Sequence, residues 1–231
     1  YQKIYLGIMK KKFRGVDFVV TPSEFLKSFY EERGFFTNAD FQTETHCNAP
    51  GLERKPIPNP SLKKGREHMK FIFVGSLVPH KGLNILMQAW NKVCHFDTEH
   101  GGVVESLGLL TVKRDPSPST LVQDDITLHI VGDGVMKEEI FKWAEDKKNV
   151  VVHGRLEGEK LEEMYRASDI LIFSSTCIEN NPTVIHEAMH YGLGVIASDT
   201  GGVREILDRD NSWLYMPDDV EELVKRVKRF I

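Results

Sequence analysis

Five short apolar runs punctuate the chain from residue 70 onward. They are Lys70–Gly75, Ile126–Val131, Val150–His153, Asp169–Phe173 and Val195–Ser198. Each run is short and β-rich, and short apolar strands that alternate with helices are typical of a parallel sheet. These runs therefore predict five parallel strands.

Amphipathic segments lie between and after these strands. Apolar residues at helical spacing predict helices over Gly82–Val93 and Val135–Asp146, and helical stretches also flank the last three strands. Asp218–Ile231 is a further predicted helix, whose two leading Asp residues suit the positive end of a helix dipole. Strands alternating with helices predict an α/β fold, a Rossmann-like parallel sheet with helices on both faces.

The first 69 residues do not follow this alternation. They contain an apolar strand at Val16–Val20, a predicted helix over Ser23–Arg33, and a Pro- and Asn-rich connector at Asn48–Lys64. A connector of this composition is typical of a linker between units. We therefore divide the chain into residues 1–64 and residues 65–231.

A second irregular segment interrupts the later unit. Residues 97–125 are longer than the usual helix-to-strand connection of about 2–6 residues. The turn signal DPSPST at Asp115–Thr120 and the apolar residues of Val103–Val112 predict a surface insertion built around a hairpin.

The composition narrows the class of protein. Hydrophobic residues make up 41% and charged residues 28%, as in ordinary globular proteins, and a formal net charge of −4 gives no support for nucleic-acid binding. No apolar run approaches the roughly 18 residues that cross a bilayer, and the charged start does not resemble a signal peptide. The chain begins at Tyr1 without Met, so we expect a processed product or an excised piece.

The cysteines and one basic cluster bear on location. Cys47, Cys94 and Cys177 are widely spaced, which favours a reducing, cytoplasmic location over a disulfide framework or a zinc site. Cys177 is either near a site or a small buried residue, and the second interpretation is favoured.

The run Lys10–Arg14 is basic and has two interpretations. It is either a peripheral contact with the anionic inner face of a membrane or a solvated helix face or turn. The solvated segment is favoured because one short cluster is weak evidence.

The strongest chemical signal is the segment ENNPTVIHE, Glu179–Glu187. Pro182 suits the first position of a helix and Asn181 its N-cap, so Glu179 is predicted in a loop and Glu187 on the second helical turn. The unpaired N–H groups of such a helix start favour an anion such as a diphosphate. A carboxylate beside that anion suits sugar hydroxyls, and one a turn deeper suits the two hydroxyls of a ribose.

The alternative for this segment is structural. It makes the segment a capped helix, with Glu179 exposed and Glu187 in an ordinary structural pair. Two carboxylates eight positions apart are weak evidence alone, but their place between a predicted strand and a predicted helix favours a binding site.

Two further turns follow predicted strands. In FVGSLVPHKG, Phe73–Gly82, Lys81 is predicted to open a helix. The helix dipole makes this an unfavourable place for a cation, which favours a functional role such as neutralising a leaving phosphate. The alternative is a solvated Lys at the start of the helix. In IVGDGV, Ile130–Val135, the full GxGxxG pattern is absent, so a nicotinamide-binding fold is not supported. We expect its two glycines to form a tight turn into the next helix.

These segments, in this order, resemble the retaining glycosyltransferases of family 4, also called glycosyltransferase group 1. FVGSLVPHKG is similar to the family's FVGRL…KG segment, and LHIVGDG, VVVHGRL, MYRASDILIFSS and ENNPTVIHEAMHYGLGVIASDTGGVREIL follow as they do in the family. The resemblance covers about residues 70–215, and the paired Glu motif with EAM is highly specific. VDFVVTPSEFLKSFYEERG, residues 16–34, is similar to the end of the family's N-terminal domain.

The resemblance implies the C-terminal half of a GT-B fold, preceded by a short remnant of the N-terminal domain. It implies a hexosyltransferase that uses a nucleoside-diphosphate sugar, with retention of configuration and with neither a metal nor a cofactor. Lys81 would stabilise the departing nucleoside diphosphate, Glu179 would bind the donor sugar, and Glu187 would bind the ribose. Of these, Lys81 and Glu179 are the implied catalytic residues. Backbone groups of His153–Leu156 would hold the base. The implied donor-binding residues are Gly75, Ser76, Lys81, Gly154, Arg155, Leu156, Glu179, Asn180, Asn181, Pro182, Thr183, Val184 and Glu187.

The chain departs from the family's pattern in two ways. Ser76 replaces the usual Arg, which removes one of two cations that face the phosphates, and Arg155 and Arg204 are the candidates to replace it. Most of the N-terminal domain, which binds the acceptor in this family, is missing from the sequence. His80 and His186 lie within the motifs but offer no obvious replacement for the family's cleft His, and we expect a packing or surface role for His186.

Three hypotheses for the function remain. The first is the hexosyltransferase, with a UDP-, GDP- or ADP-linked donor and an unspecified acceptor. The second is a nucleotide-sugar-binding module that is inactive without an acceptor domain. The third is a sugar-nucleotide epimerase of the same fold, which the EAM-centred motif disfavours.

Overall fold

The structure of the protein is a computed structural model that describes residue 10 and residues 12–44, 68–94, 126–207 and 213–231. The predicted linker Asn48–Lys64, the boundary at residue 64 and the insertion at 97–125 lie outside the described residues. Within the basic run, Phe13–Gly15 forms a single 3-10 turn. Membrane contact by this run stays a prediction.

The described residues contain the following strands and helices. The strands are β1 (Phe18–Thr21), β2 (Asp40–Thr43), β3 (Met69–Val74), β4 (Ile126–Val131), β5 (Val150–Gly154), β6 (Ile170–Phe173), β7 (Gly194–Ser198) and β8 (Leu214–Tyr215). The helices are α1 (Glu24–Glu32), α2 (Leu83–Cys94), α3 (Lys137–Ala144), α4 (Glu159–Ala167), α5 (Thr183–His190), α6 (Val203–Ile206) and α7 (Val220–Lys228). All five predicted strands of the later unit are present, within one or two residues of the predicted bounds.

Six strands form one parallel sheet in the order β5-β4-β3-β6-β7-β8. Each hydrogen-bonded pair is parallel; Phe71 of β3, for example, faces Ile170 of β6. Counted from β3, this is the doubly wound order 3-2-1-4-5-6, in which the winding reverses between the first and fourth strands. The predicted α/β fold with a Rossmann-like parallel sheet is therefore confirmed, and the reversal lies between β3 and β6.

Two apolar layers cover the two faces of this sheet. On one face, α2 and α7 pack together around Trp90, whose ring lies edge-on to Phe71 at 5.4 Å. On the other face, Tyr165 of α4 and Ile185 of α5 lie in a second buried cluster. Every residue of β6 and β7 is buried, which explains why these strands are continuous apolar runs.

The described part of the N-terminal segment forms a two-stranded sheet and one helix, separate from the large sheet. Strands β1 and β2 pair in parallel, and α1 connects them. Ser23 is the N-cap of α1, and its Oγ accepts a hydrogen bond from the Leu26 N–H at 3.1 Å. The sequence did not predict β2, because its four residues, DFQT, offer no apolar run.

Candidate functional site

The carboxyl ends of β3 and β6 diverge around a cavity of about 220 Å³. The first turn of α5 closes one side of the cavity. Its lining consists of Phe73, Val74, Gly75, Ser76, Lys81, Phe173, Ser174, Ser175, Glu179, Pro182, Thr183 and Val184. In a doubly wound sheet, the crevice at the point of reversal is where ligands bind, so we name this cavity the switch-point pocket.

Lys81 and Glu179 form an ion pair inside the switch-point pocket. Lys81 Nζ donates to Glu179 Oε1 at 2.6 Å, and the two side chains are 27% and 14% exposed. The same oxygen accepts a hydrogen bond from Ser175 Oγ at 2.6 Å and lies 3.4 Å from Cys177 Sγ. The cation and the carboxylate that the sequence singled out are therefore in direct contact.

The surroundings of Glu179 keep its carboxyl group ionised. Burial acts to raise the pKa of Glu179, but the hydrogen bonds from Lys81 and Ser175 and the charge of Lys81 outweigh burial, so the pKa lies below its ordinary value of 4.5. At neutral pH the pocket therefore presents one carboxylate and one ammonium group.

The loop that carries Lys81 is fastened to the end of β6. Pro79–Lys81 is a 3-10 turn, and Gly82 follows in the left-handed region at φ +69°. A Cβ at Gly82 would lie 1.7 Å from the Ser174 carbonyl oxygen, so only glycine allows this approach. Ser174 Oγ also donates to the Lys81 carbonyl at 3.0 Å. Lys81 precedes α2, which begins at Leu83, rather than opening that helix as predicted.

A pair of glycines supports the loop that carries Glu179. The Gly202 N–H donates to the Glu179 carbonyl at 2.8 Å. Gly201 has φ +54°, and a Cβ there would lie 2.0 Å from the same carbonyl oxygen. No role for these glycines was predicted from the sequence, although two adjacent glycines shortly after a predicted strand were the available signal.

A second, shallower pocket adjoins the first along the same sheet edge. Its volume is about 300 Å³, and it is lined by Val74, Gly75, Ser76, Val131, Gly132, Asp133, Arg155 and Leu156. The Leu77 N–H donates to the Asp133 carbonyl at 2.9 Å, which fixes the IVGDGV turn against the loop after β3. The two glycines of IVGDGV form the tight turn that the sequence predicted.

The two arginines considered as replacements at position 76 differ in their surroundings. Arg155 lines the second pocket together with Ser76, and its Nε donates to Glu157 at 2.7 Å. Arg204 pairs with Asp199 and lines neither of the two pockets. The geometry therefore favours Arg155 over Arg204.

Glu187 lies on the second turn of α5, as predicted, but lines neither pocket. Its Oε2 accepts a hydrogen bond from the Tyr165 hydroxyl at 2.7 Å. Burial and the negative charge of Glu187 raise the pKa of Tyr165, so the hydroxyl stays a proton donor. Sequence reasoning missed Tyr165 because its apolar surroundings on α4 resemble an ordinary core position.

Three of the predicted residues, Asn180, Asn181 and Gly154, line neither pocket. Asn180 Oδ1 accepts a hydrogen bond from Ser23, and Gly154 ends β5 beside the second pocket. The prediction that Asn181 caps α5 was wrong: Pro182 occupies the N-cap position without a side-chain cap, and Asn181 Oδ1 bonds to the His186 ring at 2.7 Å. The Pro ring fixes the turn one residue later than predicted.

Metal binding and membrane insertion need their own structural features. Within the ranges that the structure covers, no group of three or more His, Cys, Asp or Glu side chains is placed to hold a metal ion. No helix in those ranges is long and apolar enough to cross a membrane. Metal independence and cytoplasmic location stay predictions.

A doubly wound parallel sheet with helices on both faces and a pocket at its switch point defines a Rossmann-type fold. The family model for glycosyl transferases group 1 matches residues 57–231, which is more than half of the chain. The chain therefore belongs to this family.

Two relatives show how much of a longer protein the chain matches. It is 31% identical to sulfoquinovosyl transferase SQD2 of Arabidopsis thaliana, over 56% of the chain and 25% of the relative. It is 24% identical to lipopolysaccharide 1,2-N-acetylglucosaminetransferase of Salmonella typhimurium, over 82% of the chain and 46% of the relative. The chain thus spans less than half the length of these relatives.

Solved structures share the fold. Anabaena HepE in complex with UDP and glucose superimposes with a TM-score of 0.68 at 18% identity, covering 99% of this chain and 57% of that one. Sucrose-phosphate synthase from Thermosynechococcus elongatus gives a TM-score of 0.70 at 18% identity, covering 98% of this chain and 52% of that one.

Proposed function

We propose that this chain is the donor-binding part of a retaining hexosyltransferase that uses a nucleoside-diphosphate sugar. The observation that carries the proposal is the pairing of Lys81 with Glu179 at the switch point, 2.6 Å apart and beside the first turn of α5. The cation and the helix N-terminus suit the diphosphate of such a donor, and the carboxylate suits its sugar hydroxyls.

Each part of the donor has a proposed place. Lys81 and the N–H groups at the start of α5, near Asn181–Val184, bind the diphosphate, and Glu179 accepts hydrogen bonds from the sugar hydroxyls. Glu187, held by Tyr165, binds the ribose. The second pocket takes the base through Arg155 and Leu156, next to Gly75 and Ser76, and Gly154 precedes these residues at the end of β5. The presence of UDP in the HepE complex supports UDP as the first nucleotide to test.

The proposed reaction follows from these places. The bond between the anomeric carbon and the phosphate oxygen breaks, and the acceptor oxygen forms a new bond to that carbon on the same face of the sugar. The acceptor's proton passes to the leaving phosphate oxygen. Lys81 stabilises the negative charge that develops on the leaving group, and neither a metal nor a cofactor takes part.

A binding module without activity of its own is the second candidate. The observation that favours it is the small share of each relative that the chain matches: 25% of the length of one transferase and 46% of the length of another. Incubation of this chain with UDP-glucose and candidate acceptors, alone and with a separately supplied N-terminal domain of a relative, distinguishes the two candidates. Product formed by the chain alone supports the enzyme, and product formed only with the added domain supports the module.

Glu187→Ala tests the proposed donor site. We expect this change to abolish detectable binding of the nucleotide sugar that the parent binds, because the ribose loses its acceptor. Isothermal titration with UDP-glucose and GDP-glucose, in EDTA, measures it. Equal affinities for the parent and the variant would show that the ribose site has been assigned to the wrong residue.

A further inference from the structure

A set of hydrogen bonds joins the N-terminal segment to the loop that carries Glu179. The N–H groups of Glu24 and Phe25, the first two of α1, donate to the two carboxylate oxygens of Glu205 at 2.9 and 2.5 Å. Ser23 Oγ donates to Asn180 Oδ1. We call the side chains of Ser23, Asn180 and Glu205 the α1 clamp.

In the α1 clamp, each hydrogen-bond donor meets an acceptor that suits it. The first N–H groups of a helix have no partner within the helix, and the helix dipole favours a carboxylate at that end. Glu205 supplies the carboxylate from α6. Ser23 is 2% exposed and uses both capacities of its hydroxyl, accepting from the Leu26 N–H and donating to Asn180.

The same turn of α6 also supports Glu179. Gly202, directly before α6, donates its N–H to the Glu179 carbonyl at 2.8 Å. A Cβ at Gly202 would lie 2.0 Å from the Asn180 carbonyl oxygen and 3.4 Å from Ser23 Cβ. The backbone of Glu179 and Asn180 is therefore held between the start of α6 and the start of α1.

We propose that the α1 clamp positions Glu179, so that the N-terminal segment sets the affinity of the site for the sugar part of a donor. Ser23, Asn180 and Glu205 line neither pocket, and they act through the backbone of the loop. Loss of the clamp frees the loop and lets the carboxylate move away from Lys81. The sugar-binding consequence rests on the proposed function; the ordering of the loop does not.

Cys177 reports the order of this loop without any donor. Its Sγ lies 3.3 Å from Ser175 Oγ and 3.4 Å from Glu179 Oε1, and the thiol is free. Cys94 is a buried free thiol, so a Cys47→Ser background leaves Cys177 as the accessible thiol among the described residues. The rate of alkylation by iodoacetamide then reports how firmly the Cys177 thiol is held beside Ser175 and Glu179, and this rate rises when the loop loses its order.

Variants can separate the α1 clamp from helix capping. Ser23→Asp keeps an N-cap acceptor but removes the hydroxyl donor to Asn180, whereas Ser23→Thr keeps both. Glu205→Gln weakens the bonds to Glu24 and Phe25. Glu24→Gln is the matched control, because it removes a carboxylate from the same turn while its N–H stays in place.

The expected result is a clear separation of these variants. Ser23→Asp and Glu205→Gln alkylate at Cys177 at least about threefold faster than the parent, while Ser23→Thr and Glu24→Gln keep the parent rate. In titrations, the first two variants bind UDP-glucose about three- to tenfold more weakly and change UDP affinity by less than about twofold. Circular dichroism confirms that all of them are folded.

Two outcomes would overturn the α1 clamp. One is an unchanged alkylation rate in both Ser23→Asp and Glu205→Gln. The other is an equal loss of affinity for UDP and UDP-glucose. If the parent binds neither ligand, the proposed function fails, and the alkylation rates still decide whether the clamp orders the loop.

Discussion

Lys81 Nζ lies 2.6 Å from Glu179 Oε1, so the cation proposed for the donor's phosphates and the carboxylate proposed for its sugar bind each other. Ser175 holds the same carboxylate oxygen, which leaves the second oxygen of Glu179 for a ligand. Under the proposed function, a nucleoside diphosphate without its sugar competes with Glu179 for Lys81. A complete donor then compensates by offering hydroxyl groups to Glu179.

Glu179→Gln tests this competition. We expect the neutral amide to release Lys81, so that the affinity for free UDP rises by about three- to tenfold, while the affinity for UDP-glucose falls because the sugar loses a charged acceptor. Isothermal titration with both ligands measures the two changes. Glu163→Gln, the same substitution at an exposed position of α4, is the control and should alter neither affinity.

The ionisation of Glu179 predicts a particular dependence of stability on pH. Its pKa is lowered in the folded state, so the carboxylate stabilises the fold above pH 4.5, and this contribution disappears as the pH falls through the folded pKa. Urea unfolding of the parent and of Glu179→Gln between about pH 3 and pH 7 measures it. The difference in unfolding free energy should shrink toward acid; a difference that grows below pH 4.5 would contradict the ion pair.

Gly201→Ala should be more damaging than Gly154→Ala. Both glycines have a positive φ angle, +54° and +70°, but a Cβ at Gly154 meets open space, whereas a Cβ at Gly201 lies 2.0 Å from the Glu179 carbonyl oxygen. The left-handed backbone alone costs about 1 kcal/mol, and the clash should raise the loss to about 2–4 kcal/mol. Chemical unfolding compares the two variants, and equal losses would show that the loop yields to the added methyl group.

Tyr165→Phe should weaken the binding of UDP and of UDP-glucose to the same extent. The change leaves Glu187 without the hydroxyl that holds it, so the affinities for UDP and UDP-glucose should fall by the same factor, about three- to tenfold. Tyr215→Phe is the matched control, because it removes a buried hydroxyl that has no hydrogen-bond partner among the described residues. A selective loss of UDP-glucose in Tyr165→Phe would place Glu187 near the sugar instead of the ribose.

The strands of the large sheet could be predicted from the sequence because they are short, β-rich apolar runs bounded by polar loops. Ile170–Phe173 and Gly194–Ser198 are buried throughout, and runs of this length suit a buried strand better than a helix. Strand β8 went unpredicted because two residues, Leu214 and Tyr215, give no pattern to detect. Its place at the sheet edge depends on tertiary contacts with β7.

The sequence predicted which residues belong to the site, but it did not predict which of them contact each other. Glu179 and Lys81 were identified separately, but their ion pair spans 98 positions of sequence and depends on how the loops after β3 and β6 meet. The bond from Tyr165 to Glu187 and the α1 clamp were missed for the same reason. Local patterns report burial and turns, whereas partners across the fold are set by the packing of whole elements.

The measurement that tests the central claim most directly is a thermal-shift screen against UDP-, GDP- and ADP-sugars in EDTA, run on the parent and on Lys81→Ala. A ligand that binds only the folded state raises the apparent melting temperature. We predict a shift with the sugar of one nucleotide in the parent and its loss in Lys81→Ala. Equal shifts in both proteins, or no shift with any nucleotide sugar, would contradict a donor site at the switch point.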